Sequence, residues 1–181
     1  MLFRSRIAKA RAEAEKALQL DPQSCAAHVV LGQIRASNDW DWNGANGEFE
    51  RALAINSADS DALRGMAMMY LAPIGRIKDA LGQMNRVMDL DPLNSGGAAD
   101  LGMLLYLDRQ VDTAKEGAES PFGRASAAAR RGDKAQALDE LDRASDQHDA
   151  QLVYVKAWPA FAGLRSEPRF QELLKKMNLA R

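Results

Sequence analysis

The stretch Leu18-Gln19-Leu20-Asp21-Pro22 decides the fold, because related stretches recur along the chain at a constant interval. Leu53-Ala54-Ile55-Asn56-Ser57 begins 35 residues later, and Met88-Asp89-Leu90-Asp91-Pro92 begins 35 residues after that. A small residue repeats with almost the same period, at steps of 35, 35 and 34 residues, at Ala10, Ala45, Ala80 and Ala114. Self-similarity at a fixed period of this size indicates supersecondary units that stack on one another.

Composition assigns the repeated units to the all-α class. Alanine, the strongest helix former, occurs 32 times among 181 residues, whereas Thr, Val and Ile together occur 12 times. Proline after Leu-Asp ends a helix, because it cannot donate the next backbone hydrogen bond. Each unit is therefore predicted to be a helical hairpin whose second helix ends at Pro22, Ser57 or Pro92.

The unit resembles the tetratricopeptide repeat (TPR), whose pattern is W-x2-L-G-x2-Y, then A-x3-F, then P. Degenerate copies of the first part occur in frame, as His28-x2-Leu31-Gly32-x2-Arg35, Leu63-x2-Met66-Ala67-x2-Tyr70 and Ala98-x2-Leu101-Gly102-x2-Leu105. The second part follows each of the first two copies, as Ala45-x3-Phe49 and Ala80-x3-Met84. The resemblance implies an all-α TPR-like solenoid, a right-handed α-α superhelix with C-terminal capping helices. An ordinary helical bundle is the alternative.

The expected organisation has four parts. Residues 1–22 form a partial repeat with only its second helix, at about 6–20, and residues 23–119 form three TPR-like hairpins. The helices pair at about 24–37 with 43–55, 60–73 with 77–90, and 95–107 with 110–119. The consensus repeat has 34 residues, so each 35-residue step contains one extra residue. That residue is expected in the inter-helix turn, near Trp40 and near Pro73. Residues 120–146 form a fourth, shortened hairpin, since Ala114 and Ala137 are 11 residues closer than one repeat, and residues 147–181 form a capping segment.

The two ends of the chain suggest a larger context. Leu152-x-Tyr154-x-Lys156 and the stretch 164–170 are similar to the C-terminal TPR regions of bacterial signalling and transcriptional regulators. In that family such repeats follow a winged-helix domain, a kinase or a cyclase, and no such effector sequence stands here. The missing first helix of the partial repeat would leave an apolar edge uncovered. That edge predicts either a longer polypeptide or self-association through the N-terminal edge.

Several function classes are excluded by simple counts. Lys and Arg number 24 against 25 Asp and Glu, a net charge of −1, which argues against nucleic-acid binding by this chain alone. One cysteine and two histidines cannot build an intrachain Cys/His zinc site. No apolar run approaches the roughly 20 residues that span a bilayer. Without an export signal or disulfide, a cytoplasmic location is expected, with no cofactor and no membrane partner.

One segment matches a calcium-loop pattern that the repeat frame contradicts. Asp39, Asp41, Asn43, Gly44 and Glu50 fit D-x-[DN]-x-[DN]-G-x5-E. The frame places residues 43–55 in a helix, which cannot also wrap an ion. We therefore interpret these residues as turn and helix-start residues and predict no metal site.

No catalytic residue is predicted. Cys25 lies three residues before His28, a spacing that could make a nucleophile pair, but packing is favoured for both. Asp139, Glu140 and Asp142 are interpreted as a solvated helix face rather than paired catalytic carboxylates.

Function is therefore expected at the surface. In TPR arrays the concave face is lined by fixed positions of each first helix, and carrying these over residue by residue gives Gln33, Asp61, Arg64, Met68, Leu71, Met103 and Tyr106. Met and Tyr make adaptable, amphipathic contacts that suit a peptide or helix. The favoured hypothesis is a non-catalytic protein–protein interaction scaffold that binds a partner peptide or domain on this face. The alternative is a regulatory or sensory segment of a larger signalling protein whose effector domain is absent here.

Overall fold

A computed structural model of the chain describes residues 2–108 and 120–180, with side chains from residue 6 onward. The described residues form two compact units. The first spans Met1–Ala72 and Arg76–Leu104, and the second combines Pro73–Gly75 with the described residues of Leu105–Arg181. The helix predicted at 110–119, with its marker Ala114, lies outside the described residues.

The first unit is built from helices, four of which form two packed pairs. The helices are α1 (Leu2–Leu20), α2 (Cys25–Ile34), α3 (Trp42–Ile55), α4 (Ser60–Gly65), α5 (Ile77–Leu90) and α6 (Ser95–Leu107), the last of which continues into the second unit. α2 packs on α3 and α4 packs on α5, while α1 and α4 both contact α2. No strand occurs in residues 2–108 or 120–180, so the all-α, TPR-like fold expected from the sequence is confirmed.

Completely buried residues at the repeat positions contribute to the core of these hairpins. Ala45 and Phe49 of α3 and Ala80 and Met84 of α5 have no exposed surface. These are the in-frame positions that the sequence places against the first helices. Ala10, the equivalent residue of α1, is exposed.

Both 35-residue units take up their extra residue inside the first helix rather than in the following turn. Arg35–Asp39 and Met66–Leu71 are π-helical, so that the amide of Ala72 donates to Ala67 O, five residues back, at 3.0 Å. The sequence places the extra residue slightly later, near Trp40 and Pro73. A π turn accommodates one residue while keeping the backbone groups of that turn hydrogen-bonded, which a longer loop would not do.

The second unit contains a hairpin and a capping segment. α7 (Pro121–Arg130) begins at Pro121, with the Ser120 hydroxyl accepting from the Gly123 amide at 3.0 Å. It packs on α8 (Lys134–Asp146), and Gly132 makes the turn between them with φ of +81°. Short 3-10 helices at Ala150–Tyr154 and Pro159–Leu164 lead to α9 (Pro168–Lys176).

An aromatic cluster centred on Trp158 forms the core of the second unit. The Trp158 ring meets Phe122 and Tyr106 edge-on, with ring centroids 4.9 and 5.2 Å apart. Its buried indole N–H donates to Ser126 Oγ at 2.9 Å. The last helix also contributes an apolar face to this unit, since Phe170, Leu173, Leu174 and Met177 are all buried.

Candidate protein-interaction surface

Helices α2, α4 and α6 position the residues that the repeat pattern assigns to the inner face. Gln33 and Asp61 are exposed, while Arg64 and Met103 are partly buried. All four belong to the first unit. Asp61 and Arg64 are three residues apart, so they share one side of α4.

Met68 and Leu71 are buried, with 7% and 4% of their surface exposed. Both lie in the π-helical segment Met66–Leu71. One inserted residue turns the following side chains by about 100° around the helix axis, so counting at 3.6 residues per turn no longer predicts their direction. These two side chains contribute to the core rather than to an open surface.

Tyr106 belongs to the second unit, where its partly buried ring packs against Trp158. Tyr106 is therefore part of the aromatic cluster of the second unit.

Arg64 is fixed by a partner that the sequence analysis missed. Its Nε and NH2 groups donate to Asp100 Oδ2 of α6 at 3.0 and 2.7 Å, which joins two successive first helices. Gly96 lies beside the same guanidinium, since a Cβ added to it would meet Arg64 NH2 at 3.4 Å. The sequence contained one indication of this pair. Asp100 carries the opposite charge and stands 36 residues after Arg64, which is one 35-residue repeat plus one residue. We refer to Gln33, Asp61, Arg64, Asp100 and Met103 as the inner-face residues.

Buried glutamates occupy one repeat position of the second helices, three residues after the small marker. Glu48 of α3 is 4% exposed, and it pairs with His28 Nδ1 at 2.7 Å and with Arg51 NH1 at 3.0 Å. Glu140 of α8 is 5% exposed, and it accepts from Arg124 Nε at 3.0 Å and Arg143 NH1 at 2.7 Å. The interpretation of Glu140 as part of a solvated face is therefore wrong, because two arginines compensate its buried charge.

The other two carboxylates of that group do face solvent. Asp139 and Asp142 are exposed, and both accept from Arg169 NH2, at 3.0 and 2.6 Å. These contacts raise the pKa of the Arg169 guanidinium above its usual value, the hydrogen bond with Asp142 contributing most. The ion pairs join α8 to α9.

The calcium-loop residues have separate structural positions. The Asp41 carboxylate caps α3 by accepting from the Gly44 amide at 2.9 Å, and Asp39 accepts from Arg11 NH2 at 2.6 Å. Asn43 and Glu50 lie within α3 itself. Among the described residues, no group of three or more His, Cys, Asp or Glu side chains is arranged to hold a metal ion.

Cys25 and His28 do not form a nucleophile pair. His28 is directed to Glu48, while Cys25 Sγ lies 3.5 Å from Ala52 O. Burial, together with the hydrogen bond and negative charge of Asp59, raises the pKa of the Cys25 thiol to about 11. The thiolate needed for nucleophilic attack is thus disfavoured at neutral pH.

A cleft between α8 and α9 of the second unit is lined by charged groups, of which the two cations have partners. Arg169 is paired with aspartates, and Lys176 Nζ donates to Ser145 Oγ at 2.8 Å. The lining residues are Asp142, Ser145, Asp146, Arg169, Glu172, Leu173 and Lys176. Within the part of the chain that the structure describes, no helix is long and apolar enough to span a membrane.

No family model matches the chain, whereas a curated sequence and a solved structure are similar to it. The chain is 33% identical over 96 residues to cellulose synthase operon protein C of Xanthomonas axonopodis pv. citri (strain 306). The match covers 53% of this chain and about 6% of the length of that relative. The crystal structure of YrrB, a TPR protein with an unusual peptide-binding site, aligns with a TM-score of 0.46 and 18% identity, covering 92% of this chain and 91% of that one.

The identity of the repeat rests on this chain's own sequence and packing. The 35-residue period places Ala45 and Ala80 at equivalent positions, and the structure buries both completely between paired helices. The first unit is therefore built from helical repeats that resemble the tetratricopeptide repeat.

Proposed function

We propose that the chain is a non-catalytic scaffold that binds a partner peptide or domain of another protein through its inner-face residues. The observation that carries the proposal is the Arg64–Asp100 pair, which holds a guanidinium and a carboxylate at the surface between successive first helices. A peptide backbone or polar side chain can hydrogen-bond to both groups without displacing the core.

The neighbouring residues support the same function. Asp61 adds an exposed carboxylate one turn before Arg64, and Gln33 adds an amide that can both donate and accept. Met103 adds a flexible apolar side chain that can adapt to a partner.

A peptide library displayed on phage, selected against the full chain, tests the proposal. Selected peptides are then measured against Arg64→Gln and Met103→Asp variants by isothermal titration calorimetry. We expect affinity to fall at least tenfold for each variant. The control is Lys78→Gln on α5, an exposed charge on a second helix, which is expected to leave the affinity unchanged.

A Met68→Asp substitution would not test the surface, because it places a carboxylate in the core. Circular dichroism must show that the Arg64 and Met103 variants retain the helical fold. If folded variants bind every selected peptide as tightly as the wild type, the inner face is not the binding site.

A further inference from the structure

The ion pair of Arg64 and Asp100 uses only part of the hydrogen-bonding capacity of its two side chains. Arg64 Nε and NH2 both donate to the same oxygen, Asp100 Oδ2, at 3.0 and 2.7 Å. Arg64 NH1 and Asp100 Oδ1 have no hydrogen-bond partner among the residues that the structure describes. Neither atom is shut off from solvent, and the two side chains keep 35% and 24% of their surface exposed. A partner molecule therefore meets open donors and an open acceptor within one ion pair.

The open donors of Arg64 form a second edge of the guanidinium group. This group is planar and carries five N–H donors in a fixed arrangement. The edge with Nε and one N–H of NH2 faces Asp100, so the edge formed by NH1 and the other N–H of NH2 is left for a partner. A Cβ added to Gly96 would come within 3.4 Å of Arg64 NH2. The lack of a side chain at Gly96 thus leaves space next to that group.

The chemistry of the pair selects among the groups that a peptide can offer. A carboxylate can accept from Arg64 but is repelled by Asp100, and an ammonium group can donate to Asp100 but is repelled by Arg64. A trans peptide group points its C=O and N–H in opposite directions, so one peptide group reaches only one of the two side chains. A primary carboxamide is neutral and carries its carbonyl oxygen and its NH2 group side by side. It can therefore accept from Arg64 and donate to Asp100 at the same time.

Few other charges lie on the two helices that carry the pair. The remaining charged residue of α4 is Asp61, and α6 has no charged residue besides Asp100. Asp61 is exposed and lies one turn before Arg64. A lysine that pairs with Asp61 would therefore occupy a different position from a group placed between Arg64 and Asp100.

We propose that Arg64 and Asp100 together recognise the primary carboxamide of an Asn or Gln side chain in the partner segment. The carboxamide oxygen accepts from the NH1 and NH2 groups of Arg64, and the carboxamide NH2 group donates to Asp100 Oδ1. This inference rests on the proposed function, because it names the residue type that the inner-face residues select.

Matched peptides test the chemistry. Peptides that the full chain selects from the phage library are synthesised with a C-terminal methylamide, so that only side chains supply a primary carboxamide. Each Asn or Gln is then replaced in turn by the corresponding acid, by Lys and by Leu. Isothermal titration calorimetry with the full chain is expected to show, at one peptide position, at least tenfold weaker binding for all three replacements.

Variants locate the contact. Arg64→Lys keeps the charge but loses the planar edge, so it is expected to weaken the carboxamide peptide at least tenfold and the Leu-substituted peptide less than twofold. Gly96→Ala places a methyl group beside Arg64 NH2 and is expected to weaken the carboxamide peptide several-fold. The matched control is Arg76→Lys in the exposed Arg76–Asp79 pair, which is expected to leave the affinity unchanged. Circular dichroism checks that each variant keeps the helical fold.

Three results overturn the proposal while the proposed function stands. The first is a set of peptides that lose affinity for the Met103→Asp variant but keep it when every Asn and Gln is replaced. The second is equal weakening of the carboxamide and Leu-substituted peptides by Arg64→Lys. The third is tighter binding of an acid- or Lys-substituted peptide, which would make the recognition ionic.

Failure of the proposed function gives a different result. In that case the full chain selects no peptide, or the selected peptides bind the Arg64→Gln and Met103→Asp variants as tightly as the wild type. Either result overturns the carboxamide contact as well, because this contact requires a partner segment on the inner face.

Discussion

The Cε1 atom of Phe49 lies 2.7 Å from the position that a Cβ would take on Gly32. Phe49 is completely buried, and its ring also lies against Gly65 of α4, so two first helices approach one side chain of α3. The absence of a side chain at both glycines allows this approach. Phe49 thus joins two successive repeats as well as the two helices of its own hairpin.

The first prediction concerns this contact. Gly32→Ala is expected to reduce the free energy of unfolding by about 1–3 kcal/mol, because the new methyl group overpacks a buried ring. Gly47→Ala is the matched control, since a Cβ there meets nothing within 4 Å and α3 gains a better helix former. Its expected effect is a stabilisation of about 0.5–1 kcal/mol. Urea denaturation followed by circular dichroism measures both.

A double variant separates the contact from general effects on α2. Gly32→Ala should cost less in a Phe49→Leu background, because the smaller side chain leaves space for the methyl group. Strictly additive effects of the two substitutions would contradict the packing described for Phe49.

The hairpins of the first unit were predictable because their signals recur in frame. The small residues Ala45 and Ala80 recur with the same period as the helix ends at Pro22 and Pro92. Each signal therefore supports the same helical repeat. The π turns at Arg35–Asp39 and Met66–Leu71 were not predictable, because the period shows one extra residue in each unit without showing where the backbone accommodates it.

The candidate site was less predictable than the fold. Gln33 and Asp61 are exposed as expected, whereas Met68 and Leu71 follow the π insertion and are buried. Glu48 and Glu140 are buried because each meets partners from two helices. These are His28 and Arg51 for Glu48, and Arg124 and Arg143 for Glu140. The sequence alone does not show whether such partners will meet in the fold. The recurrence of Glu48 with Arg51, Gln83 with Arg86 and Glu140 with Arg143 was the available signal.

The second prediction concerns the buried Glu48. Glu48→Ala is expected to cost about 2–4 kcal/mol, because it leaves His28 without its buried partner and removes the acceptor of Arg51. Glu48→Gln is expected to cost less, since the amide keeps one acceptor oxygen and Gln83 occupies the equivalent position naturally. Thermal and urea unfolding measure the two variants.

Glu50→Ala on the same helix provides the control for Glu48. Glu50 is exposed, so its removal is expected to change stability by no more than about 0.5 kcal/mol. Equal losses at positions 48 and 50 would show that the buried network does not stabilise the fold.

The third prediction concerns the segment that resembles a calcium loop. Asp41→Ala is expected to cost about 1 kcal/mol, because Asp41 caps α3, and to cost the same in EDTA as in 5 mM calcium. Asp41→Asn keeps the capping oxygen and is expected to retain most of the stability. Differential scanning fluorimetry in both buffers measures this, and a rise in the wild-type melting temperature with calcium would contradict the capping role.

The fourth prediction concerns the pH dependence of Cys25. A thiol pKa of about 11 means that the thiolate appears only in strongly alkaline solution. At pH 8 the thiolate population, and with it the rate of alkylation by iodoacetamide, is expected to be about 100-fold below that of an unshifted thiol. The rate should still be rising at pH 10, whereas in urea-unfolded protein it should level off above about pH 9.

Asp59→Asn tests the causes of the shift in the thiol pKa. Burial is the largest cause and the contacts with Asp59 come next, so the pKa of Cys25 is expected to fall in this variant but to stay above that of the unfolded chain. Asparagine keeps the cap that Asp59 provides to the Ala62 amide, so α4 should remain intact. An alkylation profile of the folded wild type that already levels off near pH 9 would show that Cys25 is not held in its protonated form.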